Sequence, residues 1–173
     1  MTPRAVYAVD PGPVHSALVV YDGAVRAHAT LPNDDLLSRL ATHLGTPQHV
    51  LAIEQIASYG MPVGAEVFET CVWSGRFIQA WTGYHDPPRP WMPVKRLAVK
   101  LALCHDSRAR DASIRQALLD RFGPGRHAAL GTKKAPGPLY GVTGDEWAAL
   151  AVAVTVWDRV RQTSTSEAGA LEA

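Results

Sequence analysis

The stretch HVLAIEQ, residues 49–55, constrains the fold most. Four consecutive apolar residues precede Glu54, so a strand here is apolar on both faces, and such a strand needs cover on both sides. A similar run, AVYAVD at residues 5–10, ends in Asp10 and is followed at once by Pro11-Gly12. Two more strand-like runs, 16–21 and 24–30, flank Asp22-Gly23, a strong hairpin signal. Asn33 is placed to cap a helix to about residue 44, with Leu36, Leu37, Leu40 and Leu44 along one face. Further helices are expected over 65–81, 95–103 and 112–122, the last stopped by Gly123-Pro124. A short strand fits the Pro-punctuated segment 88–94, and a buried helix starts near Gly144. Four of the five tryptophans (Trp73, Trp81, Trp147 and Trp157) fall within helical patterns and are expected in the core. The Gly- and Pro-rich segment 123–141 reads as a mobile loop. The order, a strand meander followed by alternating helices and strands, predicts an α/β domain with a mixed sheet over residues 1–161. Residues 162–173 read as a disordered tail.

At 173 residues the chain can bury a full core. No apolar run is long enough to cross a membrane, and the N-terminus lacks a signal-peptide pattern. Cys71 and Cys104 form no CxxC pair, which argues against a zinc site and for a reducing, cytoplasmic location. The formal charge of +1 conceals an asymmetry. Residues 1–88 carry −4, residues 89–134 carry +8 from eleven basic and three acidic side chains, and residues 135–173 carry −3. A segment at +8 is either a set of solvated helix faces or a face for a polyanion, which gains affinity by releasing counterions from phosphates.

Three carboxylates stand where an apolar element meets its end: Asp10, Glu54 and Asp145. Each has a plain alternative. Asp10 is a turn former before Pro-Gly, and Asp145 suits the first turn of a helix through the helix dipole. Glu54 has the weakest alternative, because a carboxylate after VLAI is costly to bury unpartnered. Carboxylates gathered at sheet ends repel unless cations share the space. Oxygen ligands of this kind suit Mg²⁺, with Mn²⁺ as a substitute, and two such ions about 3.5–4 Å apart support phosphodiester hydrolysis. The seven histidines show no HxxxH or HExxH spacing.

Taken together, VYAVDPG, AIEQ some 45 residues on, and GDEWAALAVAV near the C-terminus resemble the RuvC-type Holliday junction resolvases of the ribonuclease-H-like superfamily. RARDASIRQALLDRFG followed by GTKKAPGPLYGVTGDEWAALA is similar to the bacteriophage branch, and the resemblance spans roughly residues 4–160. It implies a five-stranded mixed sheet flanked by helices, with the first three strands antiparallel. It also implies a dimer that binds a four-way DNA junction and nicks two strands of like polarity, with Asp10, Glu54 and Asp145 as catalytic metal ligands. One position departs from the pattern: Ala148 stands where many RuvC proteins carry a second helix carboxylate. Glu146 is a poor stand-in, since neighbouring helical residues point about 100° apart.

For the DNA face, Lys95, Arg96 and Lys100 cluster on one helical pattern. Arg108 and Arg110 lead into the next helix, Arg115 lies on it, and Lys133 and Lys134 sit in the Gly/Pro-rich segment. Tyr59 is either a base-stacking residue at the junction centre or an ordinary loop aromatic. Three rival readings remain at this level: a non-catalytic junction-binding protein disabled by Ala148, a nuclease of the same fold acting on RNA–DNA hybrids or flaps, and an actin-like phosphotransferase. The last needs a second domain for which 173 residues leave no room.

Overall fold

A computed structural model describes residues 3–42, 48–57, 60, 62–83 and 87–171. Its centre is a five-stranded sheet of β1 (Ala5–Asp10), β2 (His15–Tyr21), β3 (Val25–Pro32), β4 (His49–Gln55) and β5 (Trp91–Lys95), in the order β3-β2-β1-β4-β5. The β1–β2 and β2–β3 pairs are antiparallel, while β4 and β5 run parallel to β1. This is the ribonuclease-H-like arrangement that the resemblance implies. Among the described residues, six helices complete the fold: α1 (Asn33–Ala41), α2 (Ala65–Thr82), α3 (Arg96–Cys104), α4 (Asp111–Phe122), α5 (Arg126–Leu130) and α6 (Glu146–Leu171).

Strand side chains alternate between faces, so each central strand serves two cores. Val9, Leu18, Leu51 and Ile53 pack with Leu36 and Leu40 of α1 and with Phe77 and Trp81 of α2. Val6, Ala8, Ala17, Val19, Val50 and Ala52 pack on the other face against α3, α4 and the apolar run Ala149–Val154 of α6. The doubly apolar HVLAIEQ strand is thus covered on both sides, as its composition demands. Trp81, Trp147 and Trp157 are buried and Trp73 packs against the α1–α2 core.

The same period of two places the carboxylates. Asp10 and Glu54 share the parity of Val6/Ala8 and Val50/Ala52, so both point to the α6 side. Val9 pairs with Ile53 in the parallel register, and Asp10 and Glu54 come next along each strand. They therefore stand side by side on neighbouring strands, whose axes lie about 4.8 Å apart.

Several local readings change. Asn33 does not cap α1, for Pro32 holds the N-cap position and Asn33 is the first helical residue. Its amide faces inward instead: Oδ1 accepts from Ser16 Oγ (2.6 Å) and Nδ2 donates to the Gly12 carbonyl (3.0 Å). Gly12 N–H donates to Ser16 Oγ (3.1 Å), so the turn after Asp10 is clamped by a closed set of hydrogen bonds. An added Cβ at Gly12 would collide with the His15 carbonyl oxygen, which accounts for glycine in Asp-Pro-Gly. α1 ends at Ala41, and the rest of its expected span lies largely outside the described residues.

The segment 123–141 is ordered rather than a free loop. It contains α5 and a bridge from Gly131 to Pro136, and it buries Ala129 and Leu139 completely. Those two apolar anchors outweigh the turn-forming composition around them. α6 runs from Glu146 to Leu171.

Candidate active site

The ends of β1 and β4 open into a cleft of about 210 Å³ lined by Asp10, Pro11, Glu54, Gln55, Ile56, Ala57 and Arg96. Glu54 has only 14% of its side chain exposed. The Asp10 carboxyl is pushed up to about 7, first by burial and then by the negative charges of Glu54 and Asp145, with Arg96 pulling the other way. Glu54 is raised as well, by burial, against the opposing pull of Arg96. Asp145 lies exposed just before α6, near enough for its charge to be felt at Asp10. Among the described residues, however, no three His, Cys, Asp or Glu side chains are gathered as a metal cluster.

Arg96, expected on the DNA face, lines this cleft. Its Nη1 lies 3.5 Å from Glu54 Oε2, and its Nη2 donates to Asp111 Oδ1 at 2.5 Å. Burial works against the Arg96 charge, but the Asp111 hydrogen bond and the charges of Glu54, Asp111 and Asp10 together raise its affinity for the proton. Asp111 begins α4 and does not stand out in the sequence, where it reads as an ordinary first-turn acid. The only local signal is its place directly after Arg110 at a helix start.

Glu146 points away from the cleft. Its Oε2 lies 2.8 Å from His28 Nδ1 and accepts from the Thr143 N–H at 3.0 Å. It therefore does not replace the carboxylate missing at Ala148. Instead, with His28 Nε2 at 3.3 Å from the Tyr140 carbonyl, it ties the segment that leads into Asp145 to strand β3. His28 is a second residue that the sequence does not reveal, its partner being 118 positions away.

Lys95 closes β5 and is exposed, and Lys100 is half-buried on α3. Arg108 and Arg110 are expected on the DNA face before α4: Arg108 and Arg110 are exposed there, and Arg115 lies over the Trp147 ring at 4.5 Å from its centroid. Lys133 and Lys134 are exposed beyond α5. Tyr59 lies outside the described residues.

The chemistry of the donor set decides whether it fits a metal. Among the described residues it consists of carboxylate oxygens, and Glu54 Oε2 is buried there with no hydrogen-bond partner. Mg²⁺ typically takes one or two carboxylates, keeps several waters and is completed by substrate phosphates, so it does not need an all-protein cage. Asp10 and Glu54, with Asp145 close by, fit that mode of binding. Among the described residues, no helix is long and apolar enough to cross a membrane.

The chain has a ribonuclease-H-like α/β fold with an acidic end to its parallel strands. Within that fold class the chain is similar to two solved structures. The Thermus thermophilus RuvC structure aligns with a TM-score of 0.59 at 19% identity, covering 87% of this chain and 92% of that one. Thermus thermophilus RuvC in complex with Holliday junction substrate aligns at 0.63 and 19%, covering 92% and 97%. No protein-family model and no curated protein matches the sequence. At this identity the likeness establishes the fold: a RuvC-like, five-stranded mixed sheet flanked by helices.

Proposed function

We propose that this chain is a Mg²⁺-dependent endonuclease (Mn²⁺ substituting) that resolves four-way DNA junctions as a homodimer. The observation that carries the proposal is the placement of Asp10 and Glu54 in register at the ends of adjacent parallel strands, with Asp145 raising Asp10 from the start of α6. It is supported by the shared fold with a RuvC solved on a Holliday junction substrate.

Asp10, Glu54 and Asp145 would hold the metal, which when bound supplies activation of water and stabilisation of the leaving oxygen in phosphodiester hydrolysis. The chain's own groups do the rest. The Asn33–Ser16–Gly12 hydrogen bonds fix the turn that follows Asp10. His28 and Glu146 hold the approach to Asp145. Exposed Lys95, Arg108, Arg110, Lys133 and Lys134, with Arg115 and Lys100, would contact phosphates, which position DNA without reading its sequence. Arg96 joins them only through its unbonded Nη1, since its other arm is held by Asp111.

Dimerisation is supported by an apolar patch on α2, where Phe68 and Val72 are each 62% exposed one turn apart. Such a patch suits an isologous contact. We read the motifs of residues 108–123 and 131–151 as those of the bacteriophage type of resolvase, and residues 1–161 as one nuclease domain. Free Cys71 and Cys104 agree with a reducing cytoplasm.

A second reading, a junction-binding protein without nuclease activity, is favoured by Ala148 and by Arg96 standing against Glu54. Nicking assays on a synthetic four-way junction, linear duplex and RNA–DNA hybrid decide among the readings. Paired nicks on the junction alone are expected. Binding without nicks would select the second reading, and cutting of the hybrid alone would assign the fold to another substrate.

A further inference from the structure

Arg96 holds its two acids unequally. Its contact with the exposed Asp111 is short, 2.5 Å, although that side chain is 82% exposed. Its contact with the buried Glu54 is 3.5 Å, well beyond the ~2.7–2.9 Å of a charge-assisted hydrogen bond. As a result Glu54 Oε2 and Arg96 Nη1 face each other, both buried, and among the described residues neither has a hydrogen-bond partner. A purely structural ion pair would satisfy the buried ends first, because unmade hydrogen bonds are costliest there. Here the tight bond lies at the surface and the loose one in the cleft.

We propose that Arg96 is a resident competitor for the divalent cation at Glu54, and that Asp111 is the anchor onto which it withdraws. In the metal-free chain the guanidinium supplies the positive charge that Glu54 requires. When a divalent cation takes Glu54, the 3.5 Å contact is released while the Asp111 bond is kept, and Nη1 becomes free to meet a phosphate oxygen. Metal affinity is thereby held down until DNA, which offers Arg96 an alternative anion, is present. The inference rests on the metal-dependent reading of the Asp10–Glu54 cleft.

The test is Mn²⁺ binding to the DNA-free full chain at pH 8, read by the electron-paramagnetic-resonance signal of free Mn²⁺. The comparison is between wild type, R96Q and the D10N/E54Q double variant as blank. Removing a guanidinium that both repels and displaces the cation is expected to tighten Mn²⁺ binding about tenfold or more. R96Q that folds with unchanged affinity, or binds more weakly, overturns the proposal.

The unmutated chain gives a second readout, independent of whether R96Q folds. In a Mg²⁺ titration, the ¹⁵Nε signal of Arg96 is expected to move with the same midpoint as the Glu54 carboxyl signal. A responding Glu54 beside an unmoved Arg96 overturns the proposal while leaving the metal reading intact. If neither ion binds above the level of the double variant, the metal reading fails and the proposal falls with it.

Discussion

Replacing Asp10 with asparagine should stabilise the metal-free protein at alkaline pH. The folded chain holds the Asp10 carboxyl at about 7 against an ordinary 3.8. At ~1.4 kcal/mol per pH unit, that gap of about three pH units sets a ceiling of ~4 kcal/mol, and solvent at the cleft mouth brings the expected effect to ~2–4 kcal/mol. The sign follows from proton uptake. Between pH 3.8 and about 7 the folded state keeps a proton that the unfolded state has lost, so stability falls as pH rises through that window and levels off above it. Asparagine, neutral at every pH and close in shape to protonated aspartate, escapes the loss. At pH 8 in EDTA, D10N should melt roughly 5–15 °C above wild type, taking ~2–4 °C per kcal/mol for a chain of this size. Near pH 4.5 the advantage should shrink to ~1 kcal/mol or less. The assay is thermal and urea unfolding at the two pH values. Equal stability at pH 8, or a gap that does not close in acid, would refute the claim that Asp10 is buried in a field of like charge.

The same variant should lose junction cleavage while binding the junction with near-normal affinity, measured by gel shift in Ca²⁺ alongside nicking in Mg²⁺. K133A/K134A should weaken junction binding and lower the slope of log K against log salt by up to ~2, at ~0.9 for each phosphate no longer neutralised; an unchanged slope would remove that segment from the DNA face. N33A should cost ~1–3 kcal/mol in urea unfolding, because the Ser16 hydroxyl and Gly12 carbonyl lose their buried partner. It should also slow nicking through the loosened turn after Asp10, and unfolding that matches wild type would argue against the clamp. L150A should cost ~2–5 kcal/mol, since Leu150 is wholly buried between α6 and the sheet.

Most of the framework is local, and so it is legible in the sequence. AVYAVD and HVLAIEQ show their strand ends directly, because an apolar run on both faces can stop only where it leaves the core. Their register follows from topology, and with it the pairing of Asp10 with Glu54. Other features depend on distant residues. Asn33 looks like a cap until Ser16 and Gly12 are brought beneath it, 17 and 21 positions away. Arg96 looks like one of many phosphate-binding cations until β4 and α4 bring Glu54 and Asp111 to its two arms. The segment 123–141 has the composition of a loop, and its order comes from Ala129 and Leu139, whose burial depends on the packing of α4, α5 and α6. Glu146 and His28 could be joined only by knowing that β3 lies beside the start of α6.

Single-turnover nicking of a four-way junction by wild type, D10N, E54Q and D145N, each in Mg²⁺ and in EDTA, tests the central claim most directly. Metal-dependent paired nicks by the wild type, reduced ~10³-fold or more in each variant, are the result expected of one shared catalytic centre. Nicking that persists in EDTA, or that survives the loss of either Asp10 or Glu54, would contradict it.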